Sequence, residues 1–180
     1  MNERLPRKPK PLVAVLMGSD SDLPAMAECV RVLESYEIPY EIEVLSAHRS
    51  PDAAVEFVSG AARRGVRVVI AGAGASAHLA GVAAAHTPLP VIGVPLAGSP
   101  LGGIDALLST VQMPPGVPVA TMGVGSMGAK NAGQLAARIL ALGDAELARR
   151  VQSQRRKMTR GVLAKRAGLR RRLEELLGRE

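Results

Sequence analysis

Leu12-Val13-Ala14-Val15-Leu16-Met17-Gly18-Ser19-Asp20-Ser21-Asp22 is the stretch on which the fold turns. The apolar run from Leu12 to Met17 has no polar interruption and stops at a cluster of Gly, Ser and Asp. A strand with one wet face alternates; an unbroken apolar run closed by turn residues reads as a strand covered on both faces, the hallmark of a parallel sheet. Asp22 can cap the helix that follows, with Pro24 tolerated in its first turn. Met26, Cys29, Val30 and Leu33 then recur at helical spacing to about Tyr36, and Pro39 breaks the pattern.

The same plan repeats outward from there. A strand over Tyr40 to Leu45 enters the loop Ser46 to Pro51, and a helix runs from about Asp52 to Arg64. A third strand, Arg67 to Ala71, enters Gly72-Ala73-Gly74-Ala75-Ser76-Ala77-His78. A fourth, Val91 to Val94, enters Pro95 to Gly103, and a fifth, near Val117 to Thr121, enters Met122 to Gly128. Helical patterns follow each of these loops, the last over Ala129 to Leu142. Strand and helix thus alternate along the chain, and right-handed crossovers give a three-layer α/β/α fold with a flavodoxin-like parallel sheet in the order 2-1-3-4-5. The loops at the carboxyl ends of the strands, rich in Gly, Ser and Ala, emerge on one sheet edge around one shared site.

Composition sets the bounds. Of the 180 residues 47% are hydrophobic but only 2% aromatic, so the core is built from Val, Ile, Leu, Ala and Met. The single cysteine, Cys29, lies in an amphipathic helical pattern and reads as a buried structural thiol. No run approaches the ~18 apolar residues of a membrane span and no signal-peptide pattern opens the chain, so a soluble cytoplasmic protein without membrane contact is expected. The formal charge of +7 is unevenly spread: residues 145–180 hold 12 Lys and Arg against 4 Asp and Glu, leaving 11 against 12 over residues 1–144. The expected organisation is a disordered basic leader over 1–11, a catalytic domain over 12–144 and a basic helical arm over 145–180. Along that arm Leu147, Val151, Met158, Val162, Leu169, Leu173 and Leu176 fall near one helical face, interrupted by Gly161 and Gly168. A helical arm docked on a neighbouring subunit or on its own domain is the favoured reading; nucleic-acid contact is the least favoured, because no aromatic accompanies the charge.

The chemistry concentrates in Ser46-Ala47-His48-Arg49-Ser50-Pro51. His48 stands at the end of a strand, where open parallel sheets hold their ligands, and imidazole gives and takes protons near neutrality. Gly18 to Asp22 precede a helix, so hydroxyls and backbone N–H groups converge at a positive dipole end suited to phosphate. Asp22 complicates a pure anion site and could hold ribose hydroxyls or a ring amine; an ordinary turn cap is the plainer alternative. Neither a dinucleotide fingerprint nor a Walker lysine is present, and no His, Cys and acidic residues stand at metal-ligand spacing, so neither cofactor nor metal is expected.

Gly18-Ser19-x-Ser21-Asp22, Ser46-Ala47-His48-Arg49 with Ser50-Pro51, Ala71-Gly72-Ala73-Gly74 with Ala77-His78-Leu79, Gly93-Val94-Pro95, Val111-Gln112-Met113-Pro114 with Gly116, and Asn131-Ala132 resemble, in order, the motifs of the class I N5-carboxyaminoimidazole ribonucleotide mutases, the PurE family. The likeness runs from about Val13 to Asp144. It implies a flavodoxin-like subunit of a homo-oligomer, an octamer, acting in purine synthesis on a phosphoribosyl aminoimidazole and carbon dioxide without metal or cofactor. By the same resemblance His48 is the general acid and base, and Ser19, Asp22 and Arg49 bind substrate. Ser21, Ser46, Ala47, Ala73, Gly74 and Ala75 complete the pocket, with His78 at its mouth. The chain departs from the family pattern at Ala75, Ser76 and Ala80, where Gly, Ala and Pro are usual, and at Ala106, where Ser is common. Class II members, which carboxylate the aminoimidazole directly, usually carry Lys at the position of Arg49. Direct carboxylation is therefore the alternative enzyme, and a non-catalytic nucleotide- or flavin-binding module the alternative class.

Overall fold

A computed structural model describes residues 10–178. Of the leader expected over 1–11, only Lys10 and Pro11 fall within the described residues. Backbone contacts divide the chain into two units, one reaching Leu140 and one beginning at Ala141.

The first unit holds strands β1 (Val13–Met17), β2 (Tyr40–Val44), β3 (Val68–Gly74), β4 (Val91–Leu96) and β5 (Ala120–Thr121). They form one sheet in the order β2-β1-β3-β4-β5, with every neighbouring pair parallel. The helices are α1 (Leu23–Ser35), α2 (Pro51–Ser59), α3 (Ala61–Arg64), α4 (Leu79–His86), α5 (Ile104–Val111) and α6 (Ser126–Ala141). Helices cover both faces, which explains the unbroken apolar run of the opening stretch: all five residues of β1 are fully buried.

On one face Ala14 and Leu16 of β1 and Val69 and Ala71 of β3 pack with Ala54 and Val58 of α2, Ala61 of α3 and Leu79, Ala80 and Ala83 of α4. On the other, α1 lies against the sheet and α6 against α1. A methyl group added to Gly72 would sit 2.4 Å from the sulfur of Met26, so the Met26 side chain of α1 fills the space that a Cβ on β3 would take. At Gly133 of α6 the same addition would meet the Cys29 carbonyl at 2.9 Å. With few aromatics, the core gains its density by bringing backbones together, and Ala129, Ala132 and Ala136 continue that seam.

Several boundaries differ from the sequence reading. Strands β3 and β4 run past Ala71 and Val94, because Gly72, Ala73 and Gly74 pair with Val94, Pro95 and Leu96 across the sheet. The helix expected over 52–64 divides at Gly60 into α2 and α3. Helix α6 begins at Ser126 rather than Ala129, and β5 is only two residues long. Asp22 does not cap α1 with its side chain. A single 3-10 turn over Asp20–Asp22 intervenes, with Ser19 as its cap, and the Asp22 carboxylate reaches back to the Ser19 N–H at 3.1 Å.

The second unit carries α7 (Ala145–Ala167) and α8 (Leu169–Leu176), divided at Gly168. Asp144 caps α7 by accepting from the N–H groups of Glu146 and Leu147 at 2.9 and 3.0 Å. Gly161 is accommodated inside α7. The apolar positions Met158, Val162, Leu169, Leu173 and Leu176 are exposed, and pairs such as Arg170–Glu174 and Arg171–Glu175 brace the polar surface at helical spacing. Among the described residues no helix is long and apolar enough to cross a membrane.

Candidate active site

The parallel arrangement sends the carboxyl ends of β1, β2, β3 and β4 to one edge of the sheet, and a cleft of about 380 Å³ opens there. Ser19, Ser21, Asp22, Ser46, Ala47, His48, Arg49, Ala73, Gly74, Ala75 and His78 all line it, joined by Gly18, Ser76, Leu79 and Gly98. Ala73 and Gly74 reach it as the last residues of β3, not as loop. Gly98, which sequence reasoning did not single out, comes from the loop after β4, whose position at the same edge was its only signal. The loop after β5 does not line the cleft among the described residues.

The β1 loop is a tight turn held by its own side chains. The Ser19 hydroxyl accepts from the Ser21 N–H at 3.3 Å, and the Ser21 hydroxyl donates to it at 2.8 Å. Burial pushes the Asp22 carboxyl up from its ordinary range; the backbone N–H groups of Ser19 and Gly18 pull it back in part, and the charge of Asp20 adds to the rise.

The β2 loop is braced by serines. The Ser46 N–H donates to the Ser50 hydroxyl at 2.9 Å, and the Ser50 hydroxyl donates to the Ser46 carbonyl at 3.2 Å. The Ser46 hydroxyl accepts the N–H of Arg49 at 3.2 Å. This fixes the backbone on both sides of His48, with Ser50, a loop residue given no role by the sequence, as the brace. Arg49 turns back across the cleft, its Nη2 donating to the Gly18 carbonyl at 3.2 Å.

The β3 loop delivers His78 between two buried residues, Ala77 and Leu79. Its Nδ1 lies 2.8 Å from Nε2 of His48, with ring centroids 4.9 Å apart and the rings nearly perpendicular. His86, at the far end of α4, is satisfied locally: its Nδ1 donates to the Val82 carbonyl at 2.9 Å. Among the described residues no group of three or more His, Cys, Asp or Glu is gathered as a metal would require.

Hydroxyls, one guanidinium, one carboxylate and two imidazoles thus line a cleft at the strand ends of a doubly wound α/β domain, the place where such sheets hold their ligands. The AIR carboxylase family profile matches residues 12–161, and the chain belongs to that family. The N5-carboxyaminoimidazole ribonucleotide mutase of Synechocystis sp. is 52% identical over 163 residues, covering 91% of this chain and 92% of that protein. The protein of the same name from Bacillus subtilis is 51% identical over 154 residues, 86% of this chain and 95% of the relative. Among solved structures, Treponema denticola PurE superposes with a TM-score of 0.79 at 30% identity, covering 88% of this chain and 98% of the other.

Proposed function

We propose that this chain is an N5-carboxyaminoimidazole ribonucleotide mutase, an isomerase of purine biosynthesis. It moves a carboxylate from the exocyclic nitrogen of a phosphoribosyl aminoimidazole to ring carbon 4. Relatives of about half-identical sequence carry that name along nearly their whole lengths. The observation that carries the reading to this chain is the standing of His48, on a serine-braced loop, inside a cleft that also holds Arg49 and the Gly18–Asp22 turn.

In this reading His48 gives a proton to the exocyclic nitrogen as its bond to the carboxylate breaks and carbon dioxide is released. Ring carbon 4 then attacks the retained carbon dioxide, and His48 takes the proton that carbon 4 sheds. The proton inventory closes on one side chain. Small residues from Ala73 to Ser76 wall the cleft and keep the gas beside the ring. The hydroxyls of Ser19 and Ser21 suit the phosphate, Asp22 the ribose or ring amine, and Arg49 a carboxylate or phosphate. Every residue so assigned lies within the 12–144 catalytic domain. Self-association into the octamer that the family resemblance implies is supported by the exposed apolar row Leu101, Ile104, Leu108 and Val111 on and beside α5, and light scattering reads it. The reaction belongs with cytoplasmic nucleotide synthesis.

The deciding experiment offers the N-carboxylated substrate and, separately, the aminoimidazole with carbon dioxide, each with and without ATP. Turnover of the first without ATP is expected, and His48→Asn is expected to lose turnover while retaining nucleotide binding. Efficient use of only the second pair would assign direct carboxylation instead, and an active His48→Asn protein would remove His48 from the chemistry.

A further inference from the structure

Two imidazoles meet in the cleft through defined nitrogens, Nε2 of His48 and Nδ1 of His78, at 2.8 Å. A nitrogen–nitrogen hydrogen bond needs one N–H and one lone pair, so the contact fixes which ring nitrogens remain free. His48 has only Nδ1 left, and His78 only Nε2. The backbone that carries His78 is fixed: Ala77 and Leu79 on either side are buried, its N–H donates to the Ser76 carbonyl at 2.8 Å, and its carbonyl accepts from the Val82 N–H at 2.9 Å. Its side chain makes no helix cap at the start of α4, and its Nδ1 meets His48 instead.

We propose that His78 is the positioning residue for His48: by accepting the Nε2 proton it holds one tautomer and one ring orientation, leaving Nδ1 as the nitrogen that exchanges the substrate proton. The inference rests on His48 being the acid and base of the proposed reaction. The cycle starts with His48 protonated on both nitrogens: Nδ1 gives its proton to the exocyclic nitrogen as the carboxylate leaves, the ring passes through the Nε2–H tautomer, and Nδ1 takes a proton back from ring carbon 4, while the Nε2 proton stays in the bond to His78 throughout. Other charged or titratable groups around the pair are Asp22 and Arg49 in the cleft, Asp20 beside Asp22, and His86 on α4, which is engaged by Val82.

The test compares wild type, His78→Ala and His78→Asn, the last retaining a carbonyl acceptor where Nδ1 stood. His78→Ala is expected to lower kcat about 10- to 100-fold with KM little changed, and to alter the pH–rate profile. His78→Asn is expected to recover most of the rate. NMR of nitrogen-labelled histidine in the ligand-free proteins is expected to show His48 as the Nε2–H tautomer in wild type and His78→Asn, and as a mixture in His78→Ala. Wild-type kcat and pH profile in His78→Ala, or an Nδ1–H tautomer of His48 in wild type, would overturn the proposal. A wild-type protein without mutase turnover would defeat the proposed function separately, since the tautomer is read without substrate.

Discussion

The guanidinium of Arg49 donates to the backbone carbonyl of Gly18 at 3.2 Å, tying the loop after β2 to the loop after β1 across the mouth of the cleft. One side chain thereby sets the spacing between the histidine loop and the turn proposed to hold phosphate. Lysine carries a charge but neither the planar fork nor its paired donors. Arg49→Lys is therefore expected to raise KM about tenfold or more, with a smaller effect on kcat. Steady-state kinetics on the N-carboxylated substrate checks this, and an unchanged KM would count against a substrate contact.

Asp22 gives a prediction about stability and pH. Its carboxyl is raised by burial in the folded protein, so the folded state holds that proton more tightly than the unfolded chain. The resulting stabilisation is complete below the ordinary carboxylate range and is lost as pH rises through the raised value. Asp22→Asn keeps an acceptor for the Ser19 N–H but removes the charge. The variant is expected to be more stable than the parent at neutral pH, to lose that advantage on acidification, and to bind substrate more weakly. Thermal denaturation across the carboxylate range decides it.

Ala75 adopts φ +50°, in the left-handed region that favours glycine. The position is one where the family usually has Gly, and the backbone shows why. A left-handed non-glycine residue costs about 1–2 kcal/mol, against about 0.5–1 kcal/mol of extra chain entropy for Gly. Ala75→Gly is expected to raise unfolding stability by about 0.5–1 kcal/mol, measured from the denaturant midpoint at unchanged m-value.

Cys29 is buried in α1, and desolvation pushes its thiol up to about 12. The thiolate is the reactive form. A thiol reagent at neutral pH is expected to leave the native protein unlabelled and to modify it once denatured. Rapid labelling of the native state would contradict the packing of α1.

Strand order and the gathering of loops at one edge were legible because buried parallel strands write themselves as apolar runs closed by turn residues. The ends of β3 and β4 were not, because Gly72-Ala73-Gly74 and Pro95 look like loop while ladder hydrogen bonds, invisible in one segment alone, keep them in the sheet. The lining of the cleft could be read from residues at strand ends. The pairing of His48 with His78 could not: thirty positions separate them, and only the side-by-side placement of β2, β1 and β3 brings their loops together. The capping duty expected of Asp22 differs for a similar reason, since a single 3-10 turn before α1 engages its carboxylate with the Ser19 N–H.

The close approach of α1 and α6 at Gly133, and of α1 and β3 at Gly72, makes mutational tolerance one-directional. Trimming a side chain along this seam leaves a small void; adding a methyl group at Gly133 runs into the Cys29 carbonyl and requires a helix to shift, while at Gly72 it requires the Met26 side chain to repack. Variation in this domain should therefore gather on its outer surfaces and loops, while the seam admits only residues as small as those already there.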